Sequence, residues 1–167
     1  MQILGKWLGP VATIVLALIA SAESARAQNK PCDNTSVKPC ACDLMQLRPL
    51  QGAVGEQEVK EKAEKIADDP KEARRSLQLD PIKVIFGYAG HLYIVDHHHG
   101  AKAWVESADN ATIKKGKWIE NSVCEVMNKK YGLPFDFASE NDFWKAMQDP
   151  ASPHVWLKNE NGQKRLF

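Results

Sequence analysis

Two short apolar runs, Ile82–Phe86 and Leu92–Val95, stand on either side of Gly87-Tyr88-Ala89-Gly90. Both are rich in β-branched residues and the four residues between them favour a turn, so the pattern predicts a β-hairpin. Behind the second run come Asp96, three consecutive histidines (His97, His98, His99), and then Ala101, Ala103, Trp104 and Val105 at helical spacing. This predicts a strand that turns directly into a helix over residues 97–107, with Asp96 as its N-cap. Such a junction presents unpaired backbone N–H groups and the positive end of a helix dipole, and it favours anions. Chemistry on a small anion or a phosphate is expected here.

Elsewhere the periodicity is plainer. Glu56–Asp68 places Val59, Ala63, Ile66 and Ala67 on one face of a helix, with charges of both signs on the other. Pro70 opens a second short helix over Lys71–Leu77, ended by Asp80-Pro81. Asp43–Leu47 alternates as a strand does, and Gly52 to Gly55 reads as a turn. Asp109-Asn110 marks another turn, and the basic stretch Thr112–Gly116 reads as a solvated loop. Trp118–Tyr131 fits either a helix or, at Val123–Met127, a strand. Ser139-Glu140-Asn141-Asp142 has the S-x-x-D form of a helix start, and Asn161-Gly162 closes a hairpin between His154–Leu157 and Lys164–Phe167. Trp104, Trp118, Trp144 and Trp156 are expected in the core. The elements sum to one α/β (α+β) domain. Its small mixed sheet uses residues near 44–48, 82–86, 91–95 and 154–166, with helices 56–68, 97–107 and 139–148 packed on it.

Composition changes this picture at the front of the chain. Met1–Trp7 carries one lysine, Leu8–Ala20 is apolar and uncharged, and Ser21–Ala27 is small and polar. That order predicts a secretory signal peptide over 1–27, cut after Ala27 or, alternatively, at Ala20-Ser21-Ala22. The apolar run is short of the roughly 20 residues a membrane span needs. The domain plan is therefore signal peptide 1–27, a cysteine-containing irregular leader 28–43, and the folded domain 44–167. The expected location is secreted or periplasmic, with no stable membrane association after cleavage.

Losing residues 1–27 removes two of the 22 basic and one of the 21 acidic residues, which leaves the remainder balanced. The basic excess of a protein that grips long nucleic acid by its phosphates is not visible in the total. All four cysteines, Cys32, Cys40, Cys42 and Cys124, lie in the remaining chain. In an oxidising compartment they predict two disulfides, and four cysteines allow three pairings. Cys40 and Cys42 are too close in sequence to join each other, so the preferred pattern ties the N-terminal cluster to Cys124 and keeps the other bridge within 32–42. A zinc site is the rival, with an unusual ligand spacing.

An ordered set of residues carries a resemblance. Leu47-Arg48-Pro49-x-Gln51-x-x-x-Gly55-x-x-Glu58-Val59 is followed by Pro81-x-x-Val84, by Leu92-Tyr93-x-Val95-Asp96-His97-His98-His99, and later by Asp142-Phe143-Trp144. From about residue 44 to about residue 160 this resembles the putative ParB-like nuclease family, a branch of the ParB/sulfiredoxin superfamily. The resemblance implies a single domain of that fold, whose strand, sharp turn and helix N-terminus hold nucleotide phosphates. Two features depart from the superfamily. The arginines of the ParB turn are replaced by His97-His98-His99-Gly100, and His98 stands where sulfiredoxins have their cysteine. Without a thiol, sulfiredoxin chemistry is excluded.

The expected activity is that of an exported nuclease or phosphodiesterase built on the Asp-His-His-His turn. Phosphoryl transfer needs an acid or base and positive charge on the transition state, from a metal or from Lys and Arg. His97, His98 and His99 are the candidate catalytic residues, with Glu58 as a further carboxylate. Arg48, Gln51 and Lys102 are the candidate phosphate-binding residues, and Asp96 with His97 would hold a divalent metal ion. Successive helical residues point about 100° apart, so three histidines cannot serve one atom. His97 and His98, nearest the turn, are preferred, with His99 packed inward. The expected partner is nucleic acid or a nucleotide phosphate. The alternative is a non-catalytic anion-binding, metal-binding or protein-interaction module on the same fold.

Overall fold

In the computed structural model, which describes residues 30–50 and 54–148, the hairpin occupies the middle of a five-stranded mixed sheet. Its strands are β3 (Ile82–Phe86) and β4 (Leu92–Ile94), antiparallel, with Val84 opposite Ile94 and Phe86 opposite Leu92. Strand β5 (Ser122–Val126) runs parallel to β3, and β1 (Cys40–Cys42) lies antiparallel outside it. At the other edge β2 (Arg48–Pro49) pairs parallel with β4, giving the order β1-β5-β3-β4-β2. Five helices accompany the sheet among the described residues: α1 (Glu56–Asp68), α2 (Pro70–Leu79), α3 (His98–Glu106), α4 (Ala111–Gly116) and α5 (Glu140–Gln148). This is the single mixed α/β domain anticipated from the pattern.

The period of two along the strands divides the core into two layers. Ile82 and Val84 of β3 and Ile94 of β4 face Val59, Ile66, Leu77, Ala101 and Trp104 of the helices. Ile85 and Tyr93, on the opposite face, pack with Met127, Phe137, Phe143 and Met147 under α5. Helices α1 and α3 run side by side in the same direction. The start of α3 touches Gly55, which precedes α1 (His99 Nε2, 3.1 Å), while at the far end the Ser107 hydroxyl donates to the Ala63 carbonyl at 3.1 Å. Both N-termini, and both positive dipole ends, therefore lie at one end of the layer.

Several expectations need correcting. Residues 44–46 form a 3-10 turn and not a strand, because Asp43 Oδ1 accepts the Met45 N–H at 2.9 Å and coils the chain locally. The strand there is the two-residue β2. The leader supplies β1, and Trp118–Tyr131 resolves as β5, the strand alternative. Thr112–Gly116 lies in a short helix, not a loop: Asn110 caps it by accepting the Thr112 N–H at 2.9 Å. The second helix runs longer than expected, over Pro70–Leu79, with Asp69 accepting the Glu72 N–H. The start at Ser139 is as read, since its hydroxyl accepts the Asp142 N–H at 3.1 Å. The closing hairpin near 154–166, Trp156 and the signal-like first 27 residues lie outside the described residues.

The cysteines pair as preferred, Cys32 with Cys40 and Cys42 with Cys124. The second bridge crosses the β1–β5 pair, where Cys42 faces Ser122 and Cys40 faces Cys124 in register. Two disulfides are consistent with an extracellular location. Among the described residues no helix is long and apolar enough to cross a membrane.

Candidate functional site at the β4–α3 turn

Strand β4 stops because Val95 and Asp96 both direct their N–H groups to one acceptor, the Lys83 carbonyl, at 2.9 and 3.4 Å. The next residue, His97, adopts a left-handed backbone (φ 70°, ψ 29°) and is the N-cap of α3. Asp96 is thus not the cap. Its Oδ1 accepts only the His97 N–H, at 2.8 Å, and its Oδ2 meets Lys83 Nζ at 3.1 Å. A non-glycine residue in this region is uncommon and costs about 1 kcal/mol or more. The strain sits where the sequence places the chemistry.

The three histidines fan out to three different neighbours. His97 turns toward α2 and β3, with Nδ1 3.1 Å from the Pro81 carbonyl and Nε2 3.1 Å from Asp80 Oδ2. Both ring nitrogens thus face oxygen acceptors. His99 turns toward α1. Its Nε2 accepts the Gly55 N–H at 3.1 Å and lies 3.4 Å from Glu58 Oε2, so it is half-buried between helices and not packed inward. His98 turns under β2, into a cleft of about 350 Å³ walled by Leu44, Pro49, Val54, Ile94 and Val105 and shared with Lys102.

His98 differs from the other two in its partners. The Ile94 carbonyl accepts from its ring, while Nε2 is buried without a hydrogen-bond partner. The nitrogen on Ile94 is therefore Nδ1, which carries the proton, and Nε2 presents a bare lone pair. Burial pushes the His98 pKa down, outweighing the help from Ile94 and Asp96. The ring is neutral near pH 7.

Around this turn the charges are paired. Burial works against the charge on Lys83, but Asp96 and then Asp80, 3.5 Å away, more than compensate and raise its pKa. For Asp96 too, burial is opposed and overcome, by Lys83 and by the His97 N–H, and its pKa falls. The Lys62 ammonium, 2.6 Å from Glu58, holds that carboxyl below its ordinary range, with His99 adding a smaller effect.

Of the residues picked out from sequence, the fold brings His99 together with Glu58, and His98 together with Lys102. It does not bring Arg48 to the histidines, because Arg48 lies on the far side of β2 against His91 and Tyr93. Gln51 lies outside the described residues. Asp96 and His97 direct their side chains to different partners, and among the described residues no group of three or more His, Cys, Asp or Glu side chains is arranged to hold a metal ion. Sequence reasoning missed Asp80 and Lys83, which hold His97 and Asp96. The Asp80-Pro81 break was the available signal, since it leads directly into the strand beside β4.

A family model described as putative ParB-like nuclease matches residues 40–167, which includes β1 through α5 and the whole turn. The chain belongs to the putative ParB-like nuclease family. The match begins at β1, so the ParB-like unit takes in the end of the cysteine-bearing leader. Among solved structures, protein Atu1540 from Agrobacterium tumefaciens is similar at 21% identity over 77% of this chain and 53% of that one, with a TM-score of 0.42. The chain thus spans about half the length of that protein. No curated protein matches.

Proposed function

We propose that this ParB-like protein is an exported phosphodiesterase or nuclease whose acid–base residue is His98. The observation that carries the reading is the bare Nε2 of His98, beside Lys102 at the end of the layer where α1 and α3 both begin. A neutral imidazole with its other nitrogen fixed on a carbonyl is oriented to take a proton from water or to return one to a leaving oxygen. Lys102, one turn along α3, supplies the cation for a phosphate held against the helix N-terminus. Its nearest acid, Glu106, is 3.9 Å away and leaves the ammonium largely available. His97 and His99 fasten the turn to α2 and α1. The family relationship supports phosphodiester chemistry, and the two disulfides support export.

A second reading, a non-catalytic binding module, draws on the walls of the cleft. Leu44, Pro49, Val54, Ile94 and Val105 are apolar and suit a ligand with an apolar portion next to its anionic group. One experiment separates the two. Hydrolysis of bis(p-nitrophenyl) phosphate and of DNA should be detectable and should fall about 10²–10⁴-fold in His98→Ala. Unchanged turnover in that variant would refute the catalytic assignment, and binding without turnover would favour the module.

A further inference from the structure

The Arg48–His91–Tyr93 cluster lies outside the histidine turn and has no part in the chemistry proposed there. Arg48 Nη1 donates to the Tyr93 hydroxyl at 3.3 Å, Nη2 meets His91 Nε2 at 2.8 Å, and the guanidinium carbon lies 5.8 Å from the centre of the Tyr93 ring. An arginine has only donors, so His91 Nε2 must accept, and the His91 proton resides on Nδ1. The support is itself rigid. Tyr93 is buried, its ring 4.4 Å from Phe143 and 6.2 Å from Trp144. His91 is delivered by a tight turn in which Ala89 and Gly90 are both left-handed (φ 57° and 71°) and the Gly87 N–H donates to the His91 carbonyl at 2.8 Å.

An exposed arginine side chain normally either moves freely or pairs with a carboxylate. Arg48 does neither. Both terminal nitrogens are fixed by neutral partners, and no ion pair neutralises it among the described residues. It opens onto a cleft of about 330 Å³ together with His91 and Gln46. The one acid on that cleft is Asp43, whose Oδ1 accepts from Met45 N–H and Oδ2 from Gln46 Nε2, so its oxygens serve the 3-10 turn. The unused capacity of Arg48 and His91 is all donor: the remaining guanidinium N–H groups and the His91 Nδ1–H. We infer that Arg48 and His91 form a second oxyanion site, separate from the β4–α3 turn, that takes a tetrahedral phosphate or sulfate group. The donors come from two residues on two elements, Arg48 on β2 and His91 at the end of the turn before β4, and each terminal nitrogen of Arg48 already has one partner. That suits a ligand offering three or four oxygens better than a planar carboxylate.

The test is a nuclear magnetic resonance titration of the mature chain with inorganic phosphate, sulfate, acetate and, for ionic strength, chloride. Phosphate and sulfate should saturate shifts of the Arg48 Nε–H and the His91 ring, and acetate and chloride should not. Arg48→Ala should weaken binding at this cleft about tenfold or more, the usual scale for a hydrogen bond to a charged group. Arg48→Lys should restore only part of it. Asp43→Asn retains a cap for the 3-10 turn while removing the acid from the cleft, and should tighten binding. His98→Ala should leave this binding unchanged, which keeps the result independent of the proposed catalytic site. Equal binding of acetate would overturn the tetrahedral assignment. Shifts no larger than chloride produces, or full affinity in Arg48→Ala with native circular dichroism, would overturn the site.

Discussion

The Gly55 N–H donates to His99 Nε2 across 3.1 Å, and this bond joins the start of α1 to the first turn of α3. Gly55 is the N-cap of α1 and offers no side chain of its own for capping. The imidazole of another helix thus satisfies backbone that would otherwise rely on water. Three predictions concern such tertiary links, one concerns proton uptake and one concerns packing.

Replacing His99 by Ala removes this link without touching His98. The expected cost is about 0.5–1.5 kcal/mol, the net worth of a typical hydrogen bond. That should lower the thermal midpoint by a few degrees for a chain of this size. Catalytic turnover should survive. If His99→Ala abolished turnover at unchanged stability, the acid–base role would belong to His99 and not to His98.

His98 should make stability depend on pH. Its folded-state pKa lies below the ordinary 6.5 because the ring is buried. Between those two values the unfolded chain holds more protons, so the contribution is intact above about pH 6.5 and is lost as pH falls toward the folded value. Denaturant melts between pH 7.5 and 5 should therefore show a steeper loss for the native protein than for His98→Gln. Parallel curves would mean that the imidazole is well solvated.

Lys83 and Asp96 are coupled through a 3.1 Å contact, with Asp96 more than half exposed. Asp96, its pKa lowered, contributes above its ordinary 3.8 and loses that contribution as pH falls through the folded value. Lys83, its pKa raised, contributes below 10.5 and loses it as pH rises through the folded value. A double-mutant cycle with Lys83→Met and Asp96→Asn should give a coupling of about 0.2–1 kcal/mol that shrinks in high salt. Zero coupling at low salt would show that the pair does not hold the turn.

The two disulfides should differ in worth. Cys42–Cys124 closes a separation of 82 positions, whereas Cys32–Cys40 closes 8. Loop-closure entropy assigns them roughly 4.5 and 2.5 kcal/mol. Chemical denaturation of the two double-alanine variants should rank them in that order. A reversed order would mean that the leader, and not the β1–β5 edge, governs stability.

Gly87 tests the packing beneath Arg48. A Cβ added there would come within 2.5 Å of the Tyr93 ring and 2.8 Å of Phe143. Gly87→Ala should cost about 1–3 kcal/mol by overpacking. It should also perturb the Arg48 and His91 resonances. A silent substitution would place the Tyr93 ring elsewhere in solution.

The hairpin at 82–94, helix α1 and the helix start at Ser139 were legible in sequence because each is written in a short-range period or a cap a few residues long. A bridge from the N-terminal cluster to Cys124 was legible for another reason: Cys40 and Cys42, two positions apart, are too close to join each other, whereas the choice of Cys42 over Cys40 as the partner of Cys124 was decided by tertiary structure. The helix after Asn110 is only six residues long, so in sequence its Asn cap is indistinguishable from a turn. The directions taken by the three histidines were decided by tertiary structure. The left-handed backbone at His97 sets the phase of α3, and Asp80, Ile94 and Gly55, on three separate elements, then receive His97, His98 and His99. Arg48 is the same case, since its register on β4, opposite Tyr93, carries the guanidinium away from the turn. A local pattern specifies which face of a strand or helix is apolar. It does not specify the register between elements dozens of residues apart, and that register determines which polar groups meet.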